Sequence, residues 1–344
     1  MINEAKFSGV KFGEADFIVG IDLGNATSSV SYYDHKQRMP EVLDISGGYG
    51  KASVPTAVQY LQDSGEWICG DYALLNTDRD NAVMCTDLIK GLGNNQCFII
   101  NQGAVTLSFV LGVFIRELIG GIKNVNPNVK IRGIVVSVSR EMNDDAVNEL
   151  MLAFKEAGYD KFVLKISSQS ECMINTLLYE KKEDIKNILL LDFSDEGLRS
   201  RAYRINRNDG INAECIYNEM NIQVSTKKIE NDVYKMFCEL YKQDNELDNR
   251  AKDLLEGFTF EHKDLIFQKM RTGCRIYFNF AYPPIRKNLT SEMIKAVIAP
   301  TEEKISEITD NVFSRINGFD AVILSGGGFE NTWSKELIEK NIQN

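Results

Sequence analysis

The fold of this chain is decided by the stretch Phe17-Ile18-Val19-Gly20-Ile21-Asp22-Leu23-Gly24-Asn25-Ala26-Thr27-Ser28-Ser29-Val30-Ser31-Tyr32-Tyr33. An apolar run contains an acid near its end, a turn of small residues follows, and a second strand-like run resumes at Val30. The carboxylate of Asp22 is costly to bury unless a cation or a hydrogen-bond donor meets it. Gly24 permits a tight turn, and the small residues after it can present N–H groups to a phosphate. The stretch therefore predicts a β-hairpin whose tip carries an acid and an anion-binding loop.

The same arrangement occurs a second time. The run Asn187-Ile188-Leu189-Leu190-Leu191-Asp192 again ends in an acid, and a short polar turn and a second strand-like run, 198–205, follow it. A repeated strand–acid–turn–strand pattern indicates a duplicated architecture. We expect Asp22 and Asp192 to occupy corresponding positions in two halves of the chain.

A third motif lies near the end of the sequence. It is Ala321-Val322-Ile323-Leu324-Ser325-Gly326-Gly327-Gly328-Phe329-Glu330, a strand of the buried type followed by three glycines. A helix is predicted after it, from about 332 to 340. Glycines at this place allow a ligand to approach the backbone, and they leave a helix N-terminus facing that ligand.

Apolar periodicity between these motifs predicts strands that alternate with helices. The predicted strands are 130–139 and 162–166, and the predicted helices are 105–121, 143–158 and 170–182. Gly120 and Gly121 are expected to close the first helix, whereas Asn143 and Gly158 are expected to cap the second at its two ends. A further amphipathic helix is predicted from Ile229, Val233, Met236, Phe237 and Leu240. Such alternation favours a mainly parallel sheet with right-handed crossovers.

Taken in order, the three motifs resemble the nucleotide loops of the actin/hexokinase/DnaK ATPase superfamily, and the DnaK-type chaperones fit best. The likeness continues between the motifs, in Val54-Pro55-Thr56-Ala57-Val58, Gly70-Asp71-Tyr72-Ala73, Ile134-Val135-Val136-Ser137-Val138 with Asn143-Asp144-Asp145, and Val163-Leu164-Lys165-Ile166. It spans roughly 17–340. The resemblance implies an α/β chain with an actin-like ATPase fold. Each of its two lobes would hold a mixed sheet with flanking helices, as in duplicated ribonuclease-H-like domains.

The resemblance also implies a division of the chain. We expect an N-terminal extension at 1–16, lobe I at 17–185 and lobe II at 186–344. The stretch between Arg271 and Leu289 is short, so the outer subdomain of lobe II is expected to be reduced. Because the sequence stops soon after the third motif, the family's final helix and peptide-binding domain are expected to be missing.

The family's loops assign roles to individual residues. Asp22 and Asp192 match the acids that serve the nucleotide's magnesium, so ATP or ADP with Mg²⁺ is the expected ligand. The first loop would hold the phosphates, and the third would lie against the sugar and the α-phosphate. The nucleotide-binding residues implied in this way are Gly24, Asn25, Ala26, Thr27, Gly326, Gly327, Gly328 and Phe329.

The second loop departs from the family pattern, which is Asp-Leu-Gly-Gly-Gly-Thr. Here it is Asp192-Phe193-Ser194-Asp195-Glu196-Gly197. Side chains in place of glycines block close backbone approach, and two added carboxylates repel a triphosphate. At ~4 Å and an effective dielectric constant near 20, one such pair costs on the order of several kcal/mol.

The residues at the family's catalytic positions also differ from the family pattern. The family's general-base glutamate falls on Gln169, which can orient a water but cannot accept its proton. Glu171 lies two positions further and substitutes only if the loop shifts. Lys90 is the nearest candidate for the catalytic lysine after a one-residue gap, whereas the ungapped register places Asp87 there. Lys90, Gln169 and Glu171 remain the candidate catalytic residues of a weak ATPase.

Composition narrows the function classes. The chain has 344 residues and a formal net charge of -10, which argues against nucleic acid and an acidic membrane face as partners. No apolar run approaches the ~20 residues of a membrane helix. Seven scattered cysteines indicate reduced thiols and a cytoplasmic location. The two histidines, His35 and His262, frame neither a catalytic triad nor a zinc site.

Three hypotheses remain open. The leading one is a DnaK-like domain that binds adenine nucleotide, has a degenerate hydrolytic site, and acts through lobe closure or through a protein partner. The second is a working chaperone-type ATPase in which Lys90 and Glu171 replace the missing parts. The third is an actin-like scaffold for protein interaction without a nucleotide.

Overall fold

The structure is a computed structural model, and it describes residues 16–34, 39–46, 50–75, 81–125, 127–138, 142–180, 184–207, 212–316 and 318–343. Almost all of the predicted N-terminal extension, residues 1–15, lies outside this part, and so does His35. The chain divides into two compact units, Met1–Leu177 and Leu178–Asn344. The predicted division was at 185/186.

The first unit contains eleven strands and four α-helices within the described residues. The strands are β1 (Asp16–Leu23), β2 (Thr27–Asp34), β3 (Met39–Val42), β4 (Val54–Pro55), β5 (Val58–Leu61), β6 (Trp67–Cys69), β7 (Ala82–Cys85), β8 (Cys97–Ile100), β9 (Gly103–Thr106), β10 (Lys130–Val138) and β11 (Val163–Ser168). The helices are α1 (Asp71–Leu75), α2 (Leu107–Val125), α3 (Asp144–Ala157) and α4 (Gln169–Glu180).

The main sheet of this unit has the order β11-β10-β1-β2-β3, with β4 paired to β2. Strands β1, β2 and β3 form an antiparallel meander, whereas β10 and β11 continue the sheet in parallel with β1. The predicted hairpin around Asp22 is thus confirmed. The small sheets β6-β5-β7 and β8-β9 complete the strands of the unit.

The second unit is built on a smaller sheet. Its described strands are β12 (Asn187–Phe193), β13 (Leu198–Asn206), β14 (Asn212–Asn221), β15 (Cys274–Phe278), β16 (Ile285–Leu289) and β17 (Ala321–Ser325). Its helices are α5 (Thr226–Lys242), α6 (Asn249–Gln268), α7 (Ser291–Arg315) and α8 (Thr332–Gln343). The sheet order is β14-β13-β12-β17, and β15 and β16 form a separate pair.

The two main sheets share one topology. In the second unit, β12, β13 and β14 form an antiparallel meander, and β17 joins β12 in parallel. This repeats the arrangement of β1, β2, β3 and β10 in the first unit. The predicted α/β class is confirmed, with a mixed sheet in each unit.

Buried apolar side chains hold each unit together. In the first unit, the inward side chains of β1 (Val19, Ile21 and Leu23) pack with apolar faces of α2 and α3. In the second, Leu189, Leu191 and Phe193 of β12 pack in one cluster with α5, α7 and α8. In both units the core therefore fixes the first strand of the meander, the strand that carries the acid.

The capped helix was predicted correctly. Helix α3 begins after Asn143, whose side chain accepts a hydrogen bond from the Ala146 amide at 2.9 Å, and it ends at Gly158 with φ +84°. An asparagine side chain at the start and a left-handed glycine at the end satisfy backbone groups that the helix leaves unpaired. The amphipathic helix predicted around Ile229 is α5.

The predicted end of the preceding helix was wrong. Helix α2 continues through Gly120 and Gly121 to Val125. A Cβ at Gly121 would lie 2.9 Å from Cβ of Ile45, so that glycine permits close packing and does not stop the helix. Gly112 has the same role against α3, where its Cβ would lie 3.0 Å from the carbonyl oxygen of Ala153.

Within the described parts of the chain, every helix is too short or too polar to cross a lipid bilayer.

The two glycines Gly112 and Gly120 give opposite predictions within one helix. Gly112→Ala should destabilise the fold by roughly 1–3 kcal/mol, because the new methyl group meets the backbone of α3. Gly120→Ala should stabilise it by about 0.5–1 kcal/mol, because nothing lies within 4 Å of its Cβ and alanine favours the helix. Urea denaturation followed by circular dichroism measures both. A Gly112→Ala protein as stable as the parent would contradict the close packing.

Candidate functional site

Polar side chains line the carboxyl ends of three neighbouring parallel strands in the first unit. The register places Asp22 of β1 beside Ser137 of β10, and Ser137 beside Ser167 of β11. Helix α4 begins with Gln169, directly after β11. Ligands of open α/β sheets bind at the carboxyl ends of the strands. The candidate site of this unit consists of Asp22, Ser137, Ser167 and Gln169.

The carboxylate of Asp22 is bound by two neutral side chains. The Ser137 hydroxyl donates to Oδ1, and Nε2 of Gln169 lies 2.8 Å from Oδ1 and 3.0 Å from Oδ2. An ionised carboxylate only accepts hydrogen bonds, so it fixes the amide of Gln169 with its nitrogen toward Asp22. These donors meet the requirement that the sequence predicted for a half-buried acid.

Glu171 is bound to a lysine. Nζ of Lys165 lies 2.5 Å from Oε1, and the Ser167 hydroxyl donates to Oε2. Burial raises the pKa of Glu171, but the hydrogen bonds from Lys165 and Ser167 outweigh burial and leave that pKa lowered. A carboxylate with a lowered pKa is a poor proton acceptor near neutral pH.

Glu171 and Asp22 belong to different surroundings. A cavity of about 690 Å³ beside β11 is lined by Lys165, Ser167 and Glu171, together with apolar side chains such as Met142 and Met151. The lining does not include Asp22, Gln169 or the first loop. Glu171 therefore faces this cavity, whereas Gln169 faces Asp22.

The first loop is a tight turn anchored by one threonine. The Thr56 hydroxyl donates to the carbonyl of Gly24 at 2.8 Å, and the Thr56 amide donates to the carbonyl of Ala26 at 2.9 Å. A Cβ at Gly24 would lie 2.3 Å from the carbonyl oxygen of Thr27, so the turn requires glycine there. Ala26 and Thr27 are exposed.

Asn25 connects this loop to the segment with the candidate lysine. Its Oδ1 accepts from the Lys90 amide at 3.1 Å, and its Nδ2 donates to Oδ1 of Asp87 at 3.4 Å. Lys90 and Asp87, the two alternatives for the position of the catalytic lysine, thus both adjoin the first loop. The catalytic role of Lys90, an exposed residue, stays a prediction.

The second unit repeats the acid–serine pair. Asp192 lies beside Ser325 of β17 in the parallel register. On its other side, β13 places Arg199 opposite Asp192. Burial raises the pKa of Asp192, and the charges of Arg199 and Arg201 only partly offset that rise.

The second loop is closed on itself. The Ser194 amide donates to the carbonyl of Gly197 at 2.9 Å, and the Ser194 carbonyl accepts from the Thr226 amide at 2.9 Å. Gly197 has φ +152°, and a Cβ there would lie 2.5 Å from the carbonyl oxygen of Asn221. The amide of Ser194 is consequently occupied within the loop, and Asp195 and Glu196 lie at its tip.

The three glycines after β17 have different surroundings. Gly326 has φ +88°, and a Cβ there would lie 2.3 Å from the carbonyl oxygen of Phe193; at Gly328 it would lie 2.2 Å from the Phe193 ring. At Gly327, which is exposed, nothing lies within 4 Å. The fold therefore requires Gly326 and Gly328, and only Gly327 is open to a ligand.

Phe329 belongs to the core. Its side chain is 2% exposed and packs edge-on against Phe193, with ring centroids 5.6 Å apart. Any contact with a ligand at this residue would have to use its backbone.

A family profile matches residues 39–261, about two thirds of the chain, and its description is a family of unknown function, DUF5716, C-terminal. The chain belongs to this family. The DUF5716 match runs from β3 in the first unit to α6 in the second and includes Lys90, Gln169 and Asp192. The first loop and the glycines after β17 lie outside it. No curated protein matches the chain.

Sequence reasoning missed the serines that lie beside the two acids. Ser137 and Ser325 are polar residues near the ends of apolar strands, Ile134–Val138 and Ala321–Ser325, and that position was the available signal. Which acid each serine meets depends on strand register. Lys165, the partner of Glu171, gave no comparable signal.

The Lys165–Glu171 pair predicts a pH-dependent stability. Because the pKa of Glu171 is lowered below its ordinary 4.5 in the folded chain, its contribution is present above pH 4.5 and is lost as the pH falls through the folded value. Glu171→Gln should cost under about 1 kcal/mol at pH 7, since the group is half exposed, and nothing near pH 2. Urea unfolding across this range measures the difference. Glu180→Gln, at the other end of α4, is the control. A constant cost at every pH would contradict the ion pair.

Proposed function

We propose that the chain is an actin-like, DnaK-related domain that binds adenine nucleotide and hydrolyses it weakly or not at all. The observation that carries the proposal is the repeated acid–serine pair. Asp22 pairs in register with Ser137, whose hydroxyl donates to it, and Asp192 pairs in register with Ser325, each at the carboxyl end of a parallel strand pair. Both acids lie at equivalent positions of the same four-strand topology.

The shared topology supports a duplicated fold of the ribonuclease-H-like kind. Each unit has a meander whose first strand continues in parallel with a later strand, and a helix precedes that later strand, α2 before β10 and α7 before β17. The second unit adds α6 and the β15-β16 pair, which we assign to a reduced outer subdomain.

Two loops support nucleotide binding. The first turn, 24–27, has its carbonyls of Gly24 and Ala26 held by Thr56, an anchoring that suits a loop whose amides bind phosphate. In the second unit, Gly327 offers open backbone at the start of a short 3-10 helix, Gly327–Glu330, that precedes α8. The DnaK resemblance assigns the phosphates to a loop like the first one, and the sugar and base to a loop like the glycine loop.

Weak hydrolysis is supported by the side chains at the catalytic positions. Gln169 donates its amide to Asp22, and Glu171 is held by Lys165. Neither can take a proton from a water as a free carboxylate would, and loss of a general base removes about 10²–10⁴-fold in rate. Asp195 and Glu196 add charges that repel a γ-phosphate.

The seven cysteines are all unpaired. Free thiols in this number support a reducing compartment, and we propose the cytoplasm.

Calorimetric titration with ATP and with ADP tests the binding. Both should bind the parent chain, and Gly327→Leu should abolish binding, because the added side chain fills the space that the ligand needs. The fold should be unaffected, since nothing lies within 4 Å of this Cβ.

Gly257→Leu is the matched control, because it adds the same side chain at another exposed, uncrowded glycine of the second unit. It should bind as the parent does. Absence of binding to the parent would favour the scaffold hypothesis, and undiminished binding to Gly327→Leu would assign the glycines to the fold alone.

Single-turnover hydrolysis tests the degenerate site. Bound ATP should turn over at least about 10²-fold more slowly than in a working ATPase of this kind. A rate ordinary for such an enzyme would sink the proposal in favour of a working ATPase. Lys90→Met and Glu171→Gln would then identify the residues responsible.

A further inference from the structure

The DnaK resemblance implies that Asp22 serves a magnesium ion, but the atoms around it do not fit that role. Oδ1 accepts hydrogen bonds from Ser137 and from Gln169, and Oδ2 accepts one from Gln169. Both oxygens are thus engaged by donors of the first unit itself. A cation held by both oxygens of Asp22 would have to displace the Gln169 amide.

The Gln169 amide occupies the place that a cation held by both oxygens of Asp22 would take. Nε2 lies 2.8 Å from one oxygen of Asp22 and 3.0 Å from the other, so it lies in front of the carboxylate between its two lone-pair directions. A cation held by both oxygens would lie there too, at the shorter distances typical of Mg²⁺ or Ca²⁺. The amide nitrogen and the ion therefore exclude each other.

The neighbouring residues offer no alternative ligand set. Among the residues that the structure describes, no cluster of three or more His, Cys, Asp or Glu side chains could hold a metal ion. The acid nearest to Gln169 in sequence, Glu171, is bound by Lys165. In the second unit, Asp192 has Arg199 as its cross-strand neighbour, and a cation beside an arginine is repelled.

We propose that the side-chain amide of Gln169 replaces a divalent cation at Asp22, and that this chain binds its nucleotide without Mg²⁺. Nucleotide binding without Mg²⁺ rests on the proposed function. Replacement of a cation by Gln169 rests only on the contacts of Asp22.

Cation binding at Asp22 is tested without nucleotide, by adding Mn²⁺ to the full chain. Thermal unfolding measures the stability, and electron paramagnetic resonance measures the bound Mn²⁺. The parent should show no tight binding that depends on Asp22, as judged against Asp22→Asn. Gln169→Glu should place a second carboxylate about 3 Å from Asp22. At about pH 8, it should melt at a lower temperature in EDTA, regain that loss in Mn²⁺, and bind one ion.

Two further variants separate a cation site from a lost hydrogen bond. Gln169→Leu removes the amide without adding charge, so Mn²⁺ should leave its reduced stability unchanged. In the double variant Asp22→Asn with Gln169→Glu, the amide and the carboxylate exchange places. It should regain stability in EDTA and bind no Mn²⁺. Tight Mn²⁺ binding by the parent that is lost in Asp22→Asn would overturn the proposal, and so would failure of Gln169→Glu to acquire Mn²⁺ binding.

The nucleotide is tested by titrating the parent with ATP in Mg²⁺ and in EDTA. The two dissociation constants should agree within about twofold, whereas a loss of tenfold or more in EDTA would refute binding without Mg²⁺. If ATP binds in neither buffer, the proposed function fails and binding without Mg²⁺ fails with it. The Mn²⁺ experiment then still decides whether Gln169 replaces a cation.

Discussion

The hydrogen bonds of one half-buried carboxylate are the constraint around which the first unit is arranged. Asp22 is placed in an apolar strand, and its charge is acceptable there only because Ser137 and Gln169 donate to it. Those donors come from β10 and from the start of α4. The parallel register of β1, β10 and β11 is therefore needed both for the apolar core and for the acid.

The second unit meets the same constraint with different chemistry. Asp192 also has a serine on the neighbouring parallel strand, but its other neighbour is an arginine across the hairpin. The first unit thus uses neutral donors, whereas the second uses a cation from the protein itself. In both units, the protein itself supplies the partners of the acid.

Much of the fold could be predicted from the sequence, because the signals for its hairpins and helix ends were local. Alternation around Asp22 and Asp192 predicted both hairpins, and Asn143 and Gly158 predicted the ends of α3. The bond between Gln169 and Asp22 could not be predicted, since it depends on the register of strands far apart in sequence. The end of α2 was mispredicted because Gly121 is a site of close packing, and a glycine of that kind looks the same in sequence as one that stops a helix. The ligand roles of the loops stay predictions.

The unequal surroundings of the three glycines after β17 bear on how this sequence would drift. Gly326 and Gly328 are fixed by Phe193 whether or not a ligand binds, whereas nothing in the described structure constrains the side chain at Gly327. A descendant that no longer used this loop would therefore keep the outer two glycines and would be free to change the middle one. In such a lineage, the outer glycines would be kept because of packing, and loss of the ligand would first be visible as a substitution at the middle glycine.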